Sequence, residues 1–317
     1  MRISIIGGGI GGLCLAQGLR AKGIDATVYE TSPRPLDQGW RLTLKEEGTR
    51  ALRACLPGDL YARVLDSAIR PATRMAFMDH RLVPKFVKPI PPVEGHIGIN
   101  RTVLRSILAT GLNLQIRTCA SFDGPTAHFT DGTSATADLL VGADGTDSVV
   151  RRQLLPTAAL DDLGSAVYGV TPFETLDGVP DLLVDTFNRI TGPDGSAVSI
   201  ATCRPGDYFT WTLTGTLTDD WHPAVRKIIA DATTTFPIRL RSARPVSSWD
   251  VAGVTLLGDA IHTMSPGRGE GANTALRDAR LLVEAVLSGD VRGYEEEMLR
   301  YGFAMVAASR ESPFMRT

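Results

Sequence analysis

The sequence predicts an α/β protein: a Rossmann-like dinucleotide-binding domain in separated pieces, interleaved with a second, β-rich domain. Three observations carry this. Residues 3–30 read as strand, glycine turn, helix and strand. Two later apolar strands, residues 139–141 and 254–257, run straight into glycine and aspartate, as strands do that return to a main sheet and present its ligand-binding end. Between these pieces the chain lacks the regular strand and helix units of a dehydrogenase and carries aromatic-rich, turn-punctuated β patterns instead.

The first unit begins with Ile3, Ile5 and Ile6, breaks into Gly7, Gly8, Gly9, Ile10, Gly11 and Gly12, and continues with helical spacing through Leu13, Ala16 and Leu19 to a stop at Gly23. Gly7, Gly9 and Gly12 satisfy G-x-G-x-x-G: the first for the tight turn, the second for close approach to a pyrophosphate, the third for packing of helix on strand. The backbone N–H groups of this turn, through Ile10 and Gly11, then face the phosphates. A second strand, residues 26–30, ends in Glu30, about twenty residues on, where a carboxylate accepts from a ribose 2′-hydroxyl and repels a 2′-phosphate. FAD or NAD, and not NADP, is the dinucleotide expected in this site.

A Pro-rich connection, residues 32–38, leads through Gly39 and Trp40 to Arg41, a short strand at 42–44 and a helix at 47–56 closed by Pro57 and Gly58. Residues 74–99 are strand-like but interrupted by Pro89, Pro91 and Pro92, which fits edge strands. Asn100 and Arg101 open an amphipathic helix with Val103, Leu104, Ile107 and Leu108. Short strands follow at 113–118, 127–130 and 134–140. Residues 166–217 are β-rich, with Tyr168, Phe173, Phe187, Tyr208, Phe209 and Trp211, and a helix is expected at 223–233. The expected division is a discontinuous cofactor domain at 1–70, 98–165 and 250–290, a β-rich substrate domain at 71–97 and 166–249, and a C-terminal helix at 291–317.

Lys plus Arg is 33 against 35 Asp plus Glu, a formal charge of −2, so nothing points to nucleic acid or an anionic membrane surface. The four cysteines, Cys14, Cys55, Cys119 and Cys203, form no C-x-x-C pair, which indicates neither a zinc site nor a disulfide framework. With the first strand starting at once and no apolar run of membrane-spanning length, a soluble, cytoplasmic protein is expected.

The strand at 139–141 ends in Gly142, Ala143, Asp144 and Gly145, with Ser148 and Arg151 beyond; the later one ends in Gly258, Asp259, Ala260, Ile261 and His262, followed by Pro266, Gly269, Gly271, Ala272 and Asn273. These two segments resemble the D-G and G-D motifs of the group A flavoprotein monooxygenases, the family that includes para-hydroxybenzoate hydroxylase. With the N-terminal glycines, three motifs match in order along nearly the whole chain. The resemblance implies that family's fold and noncovalent FAD. It places Asp144 near the pyrophosphate and the nicotinamide cofactor, and makes Arg41 and Arg101 flavin-contacting arginines, for which a guanidinium reading phosphate oxygens is suited. At a strand's carboxyl end, Asp259 can accept from ribitol hydroxyls. Gly269, Gly271, Ala272 and Asn273 lead into a helix, with Leu276, Ala279, Val283, Val286 and Leu287 apolar and Gly289 ending it, whose positive end faces the flavin ring edge. His262 belongs to the flavin motif, so a structural role is expected of it rather than that of a catalytic base.

The reaction the resemblance implies is reduction of FAD by NAD(P)H, addition of O2 to give a flavin C4a-hydroperoxide, and hydroxylation or epoxidation of an aromatic or polyketide-like small molecule, as in natural product biosynthesis. No protein residue is singled out as catalytic, and no metal is expected. The substrate is expected between the flavin and the insertions at 74–97 and 168–211. A flavin-dependent halogenase is disfavoured because W-x-W-x-I-P is absent; a FAD-bound non-redox cyclase or a structural flavoprotein is the alternative reading.

Overall fold

The computed structural model describes residues 1–32, 41–176, 178–204 and 206–311. Most of the Pro-rich connection, Gly39, Trp40, Pro205 and the last six residues of the C-terminal segment lie outside the described residues.

Strand β1 (Arg2–Ile6), helix α1 (Ile10–Ala21) and strand β2 (Asp25–Glu30) form the opening unit. Strand β3 (Arg41–Leu44) and helices α2 (Glu46–Cys55) and α3 (Gly58–Asp66) follow; α3 was not anticipated, because Pro57 and Gly58, read as stops, instead begin a helix in which Pro57 is the N-cap. Next come β4 (Arg74–Asp79), β5 (Pro84–Pro89), β6 (Ile97–Asn100) and α4 (Arg101–Leu108). Asn100 caps α4, its Oδ1 accepting from Thr102 N at 2.8 Å. Strands β7 (Asn113–Ile116), β8 (Cys119–Asp123), β9 (Thr126–Phe129), β10 (Ser134–Thr136) and β11 (Leu139–Gly142) lead to a short helix α5 (Val149–Leu154) capped by Ser148.

The remaining elements are β12 (Leu160–Pro172), β13 (Thr186–Thr191), β14 (Ala197–Cys203), β15 (Tyr208–Thr214), α6 (Pro223–Ala230), β16 (Thr234–Ala243), β17 (Val254–Leu256), α7 (Asp259–His262), α8 (Gly271–Ser288) and α9 (Val291–Arg310). Gly289, at φ +79°, ends α8 in the left-handed conformation its position suggested.

Five strands in the order β17-β11-β1-β2-β7, every neighbouring pair parallel, make the cofactor sheet. Its members come from three separated stretches of chain. Such a sheet is covered on both faces, so its strands read as continuous apolar runs. Helix α1 lies deep, its residues from Ile10 to Leu19 all buried, and even Gln17 is accommodated: its amide donates to Leu108 O at 2.7 Å and Thr110 O at 2.9 Å. On the far side of α1, the Cys14 thiol meets Cys55 of α2; both are free and buried, and that contact together with burial holds the Cys14 thiol well above its ordinary value.

The second sheet has seven strands in the order β16-β12-β15-β14-β13-β4-β5. It takes β4 and β5 from one insertion and the rest from the other, joined where β4 and β13 pair in parallel from Thr186↔Arg74 to Thr191↔Asp79. One face carries Ala76, Met78, Ile190, Val198, Ile200, Phe209 and Trp211, and packs on Val225 and Ile228 of α6 and on Trp221. The opposite face is turned to the cofactor body. There Arg310 of α9 donates to Ser242 Oγ of β16 at 2.7 Å, and Arg41 of β3 donates to Thr202 O of β14 at 2.9 Å. Strand β16 was missed in the sequence, because Pro237, Arg239 and Arg241 weaken its apolar pattern. It is an edge strand pairing only with β12, where proline and outward arginines are tolerated.

No helix among the described residues is long and apolar enough to cross a membrane.

Candidate cofactor and substrate site

The three glycines of the first turn meet three different surroundings. Gly7 sits at φ +114°, and a Cβ there would lie 2.2 Å from Ala143 O, so the turn and the neighbouring strand end exclude any side chain. A Cβ on Gly12 would lie 2.2 Å from Gly7 O, which is the close packing of helix on turn. Around Gly9 there is nothing within 4 Å: its absent side chain leaves open space. Gly9 is also the N-cap of α1, which has neither a side-chain cap nor an acid in its first turn. Its leading N–H groups and the positive end of the helix therefore face that space with no hydrogen-bond partner among the described residues, an arrangement suited to a pyrophosphate. Ile10 is buried beneath it, and Gly11 lies against Leu257 and Ala275, joining this turn to the end of β17 and to α8.

Glu30 flanks the turn. Its Oε2 accepts from Gly8 N at 3.1 Å and from Arg105 Nη2 at 3.0 Å, and its Oε1 accepts from Ser32 N at 3.1 Å. Arg105, in turn, donates from Nε to Gly8 O at 2.7 Å. Arg105 was not singled out in the sequence, although it lies one helical turn beyond Arg101 and so shares its face of α4, the signal by which it could have been found. Burial pushes the Arg101 guanidinium down from its ordinary value, and the charges of Asp259 and Glu30 partly restore it. Arg101 thus stands within electrostatic reach of both Glu30 and Asp259.

Asp259 begins α7 just past β17, after Gly258 at φ +63°. It is open to solvent yet ringed by protein, as expected of a residue in a cleft: burial raises its carboxyl, while His262 and Arg101 oppose the rise. Asp144 braces the start of α5 beside its cap Ser148, Oδ1 accepting from Ser148 Oγ at 2.5 Å and Oδ2 from Val149 N at 2.7 Å. The two motifs are bolted together by Arg151, which donates to Ala260 O at 2.9 Å and Thr146 O at 2.8 Å.

Below Asp259 runs a buried network. Asp278 of α8 accepts from Gly258 N at 2.7 Å, pairs with His262 Nε2 at 2.7 Å and takes the Tyr301 hydroxyl of α9 on its other oxygen. Burial pushes the His262 imidazole down, but the charge and hydrogen bond of Asp278, with Asp259 beyond, push harder, so the net shift is upward. Asp278 was missed as well; its signal is a carboxylate inside an otherwise apolar helical stripe, between Leu276 and Ala279.

Helix α8 starts at Gly271 with no side-chain cap, so its first N–H groups, those of Gly271, Ala272 and Asn273, point toward the Asp259 side uncapped. Gly269 holds φ +65° in open space. Asn273 is a clip: its Oδ1 accepts from Lys45 N at 2.8 Å, and its Nδ2 donates to Thr43 O at 2.9 Å and Gly269 O at 3.0 Å. Arg41 pairs across β3 and β6 with Asn100, next to Arg101. Its guanidinium is turned to the second sheet, donating to Arg70 O at 3.1 Å and Thr202 O at 2.9 Å, with Cζ 5.1 Å from the Phe187 ring centre and a buried Nε that has no hydrogen-bond partner among the described residues.

The site thus has open space over an uncapped helix, two carboxylates, Glu30 and Asp259, and a second uncapped helix, a donor and acceptor set that fits FAD.

The chain matches a family model described as an FAD binding domain over residues 202–298 and an NAD(P)-binding Rossmann-like domain over residues 5–36. It is 32% identical to the FAD-dependent monooxygenase dbaB of Emericella nidulans, over 90% of this chain and 86% of that protein. It is 28% identical to an FAD-dependent urate hydroxylase of Klebsiella pneumoniae, over 89% and 80%. A crystal structure of a putative FAD containing monooxygenase from Photorhabdus luminescens is 30% identical, with a TM-score of 0.80 over 98% of this chain and 96% of that one. Among its first curated relatives are dual O-methyltransferase/FAD-dependent monooxygenases, one of them from Cercospora beticola at 28% identity over 90% of this chain; this chain spans only 42% of that protein's length.

Proposed function

Because this chain belongs to the para-hydroxybenzoate hydroxylase-like family of FAD-dependent monooxygenases, we propose that it uses NAD(P)H and O2 to hydroxylate or epoxidise an aromatic or polyketide-like small molecule. One observation carries the reading for this chain: the open space over Gly9 is flanked by Glu30, the carboxylate of Asp259 is open to solvent, and the charge of Arg101 is felt by both carboxylates. FAD, when bound, supplies acceptance of a hydride and activation of dioxygen.

The protein's part is placement. In this reading the Gly7, Gly9, Ile10, Gly11 and Gly12 turn holds the pyrophosphate, helped by Arg101 and by Arg41 once its guanidinium turns, while Glu30, fixed by Arg105, takes the ribose hydroxyls. Asp144 orients the turn that nicotinamide cofactor approaches, and Asp259 takes the ribitol. Gly271, Ala272 and Asn273 offer N–H groups to the flavin ring edge, where the positive end of α8 stabilises negative charge, while Gly269, whose own N–H is taken by Pro266 O at 2.9 Å, shapes the turn that leads into the helix. The second sheet covers the substrate and keeps water out. This assigns residues 1–70, 98–165 and 250–290 to cofactor binding, 71–97 and 166–249 to substrate binding, and a cytoplasmic location to the whole.

The test is anaerobic stopped-flow followed by oxygenation. With a true substrate, NAD(P)H should reduce the bound flavin faster than without it, and one atom of labelled dioxygen should enter the product. Conversion that proceeds equally well without NAD(P)H or O2 would leave a non-redox cyclase as the better account.

A further inference from the structure

Helices α2 and α8 pack together, and each opens against the usual preference. The N-cap of α2 is Lys45, a cation at the positive end of a helix, and its side chain makes no cap. The N-cap of α8, Glu270, has the favoured sign but does not cap its helix either. The two side chains are spent on each other. Lys45 Nζ is paired with Glu270 Oε1 and also donates to Arg268 O at 3.2 Å. Helix α8 returns the contact, since Asn273 Oδ1 accepts from Lys45 N at 2.8 Å, and Gly48 is packed on Asn273 with no room for a Cβ. Each helix therefore holds the first residue of the other.

The pair lies where the positive end of α8 meets the cofactor site. Glu270 directly precedes Gly271, and a Cβ on Gly271 would lie 3.9 Å from Asp259 Oδ1. The Glu270 side chain is 16% exposed and that of Lys45 33%, so water screens neither charge fully. The acids that follow in α2, Glu46 and Glu47, are engaged by Arg50 at 2.7 and 3.1 Å, which leaves Lys45 to Glu270. Without its partner, the Glu270 carboxylate would oppose the favour that the start of α8 extends to negative charge on a ligand.

We propose that Lys45 is a positioning residue for the redox step: by holding and neutralising Glu270, it sets how readily the bound flavin is reduced. This rests on FAD lying with its ring edge at α8, and not on NAD(P)H, O2 or the identity of the substrate. Removing Lys45 alone leaves a bare carboxylate at that helix end and disfavours the reduced, more negative cofactor. Removing the charge of Glu270 alone leaves a bare ammonium and favours it. Removing both returns the site close to balance. A clip that only joined two helices would respond in the same direction to either loss.

The test is the two-electron potential of the FAD-loaded protein, measured by anaerobic reduction against a reference dye. Lys45→Met should lower it and Glu270→Gln should raise it, each by a shift of about tenfold in the oxidised-to-reduced equilibrium, about 30 mV for a two-electron couple. The double variant should lie between the two. Should Lys45→Met not fold, Glu270→Gln alone decides by the sign of its shift. The inference is overturned if both single variants move the potential in one direction, if neither moves it, or if the double variant lies outside the range they span. It also fails separately from the wider reading: native potentials in both variants of an active oxygenase would sink the inference alone, while opposed shifts in a protein that transfers no oxygen would sink the monooxygenase reading alone.

Discussion

Gly9 and Gly12 belong to the same motif and should fail in opposite ways. A methyl group on Gly9 meets nothing within 4 Å, and the backbone there, φ −74° and ψ 178°, suits any residue. Gly9→Ala should therefore melt within about 0.5 kcal/mol of the native apoprotein, yet bind FAD at least about tenfold more weakly, because the methyl occupies the space the pyrophosphate needs. Gly12→Ala forces a Cβ onto the Gly7 carbonyl and should lower stability of the apoprotein itself by about 2 kcal/mol or more. Thermal melts of both apoproteins, with FAD titrations alongside, check this; equal stability losses would show that the open space is not a ligand's. The sequence displayed these glycines because spacing alone specifies their work. It hid Arg105 and Asp278, whose significance lies in what they touch across 75 and 16 residues of chain respectively.

Helices α7, α8 and α9 converge on Asp278, so the turn that presents Asp259 inherits its rigidity from a fully buried carboxylate. Removing that carboxylate strands a buried imidazole and a buried hydroxyl, and Asp278→Ala should cost about 3 to 5 kcal/mol. The folded value of His262 is raised above the ordinary one near 6.5. Its stabilisation is accordingly complete below about pH 6.5 and is lost as pH rises through the raised folded value. Denaturant melts from pH 6 to 9 should show this loss in the native protein and a flatter profile in His262→Asn; identical profiles would mean that His262 does not titrate in the fold. At this scale the sequence was clear wherever one period ruled, as in α1, α4 and α8, and obscure where it was broken: α3 begins at residues that normally end helices, and β16 carries a proline and alternating arginines at an edge.

For the whole molecule, what the sequence could not display is the pairing of β4 with β13, since hydrogen-bond register between strands more than a hundred residues apart leaves no local trace. Held between the two sheets' territories is Arg310, which donates to Ser242 Oγ at 2.7 Å, to Ala243 O at 3.1 Å and to Asp161 Oδ2 at 2.7 Å. Arg310→Ala should lower stability by about 1 to 3 kcal/mol and hasten proteolysis near β16 while leaving FAD affinity within about threefold, a change of less than 1 kcal/mol. A large loss of FAD affinity in that variant would mean that the end of α9 supports the cofactor turn directly.

The order of the cofactor sheet, β17-β11-β1-β2-β7, also governs how the protein comes into being. Its central strand is made before every other strand of that sheet, but its neighbour β11 follows only at Leu139, the edge strand β17 at Val254, and the helix carrying Asp278 after that. A nascent chain holding β1, α1 and β2 has the glycine turn and Glu30 but neither Asp259 nor the clip from Asn273. Long-range parallel pairing of this kind is slow and leaves apolar strands waiting for partners. Flavin capture therefore waits for β17, α7 and α8, and a chain arrested before β17 should be colourless.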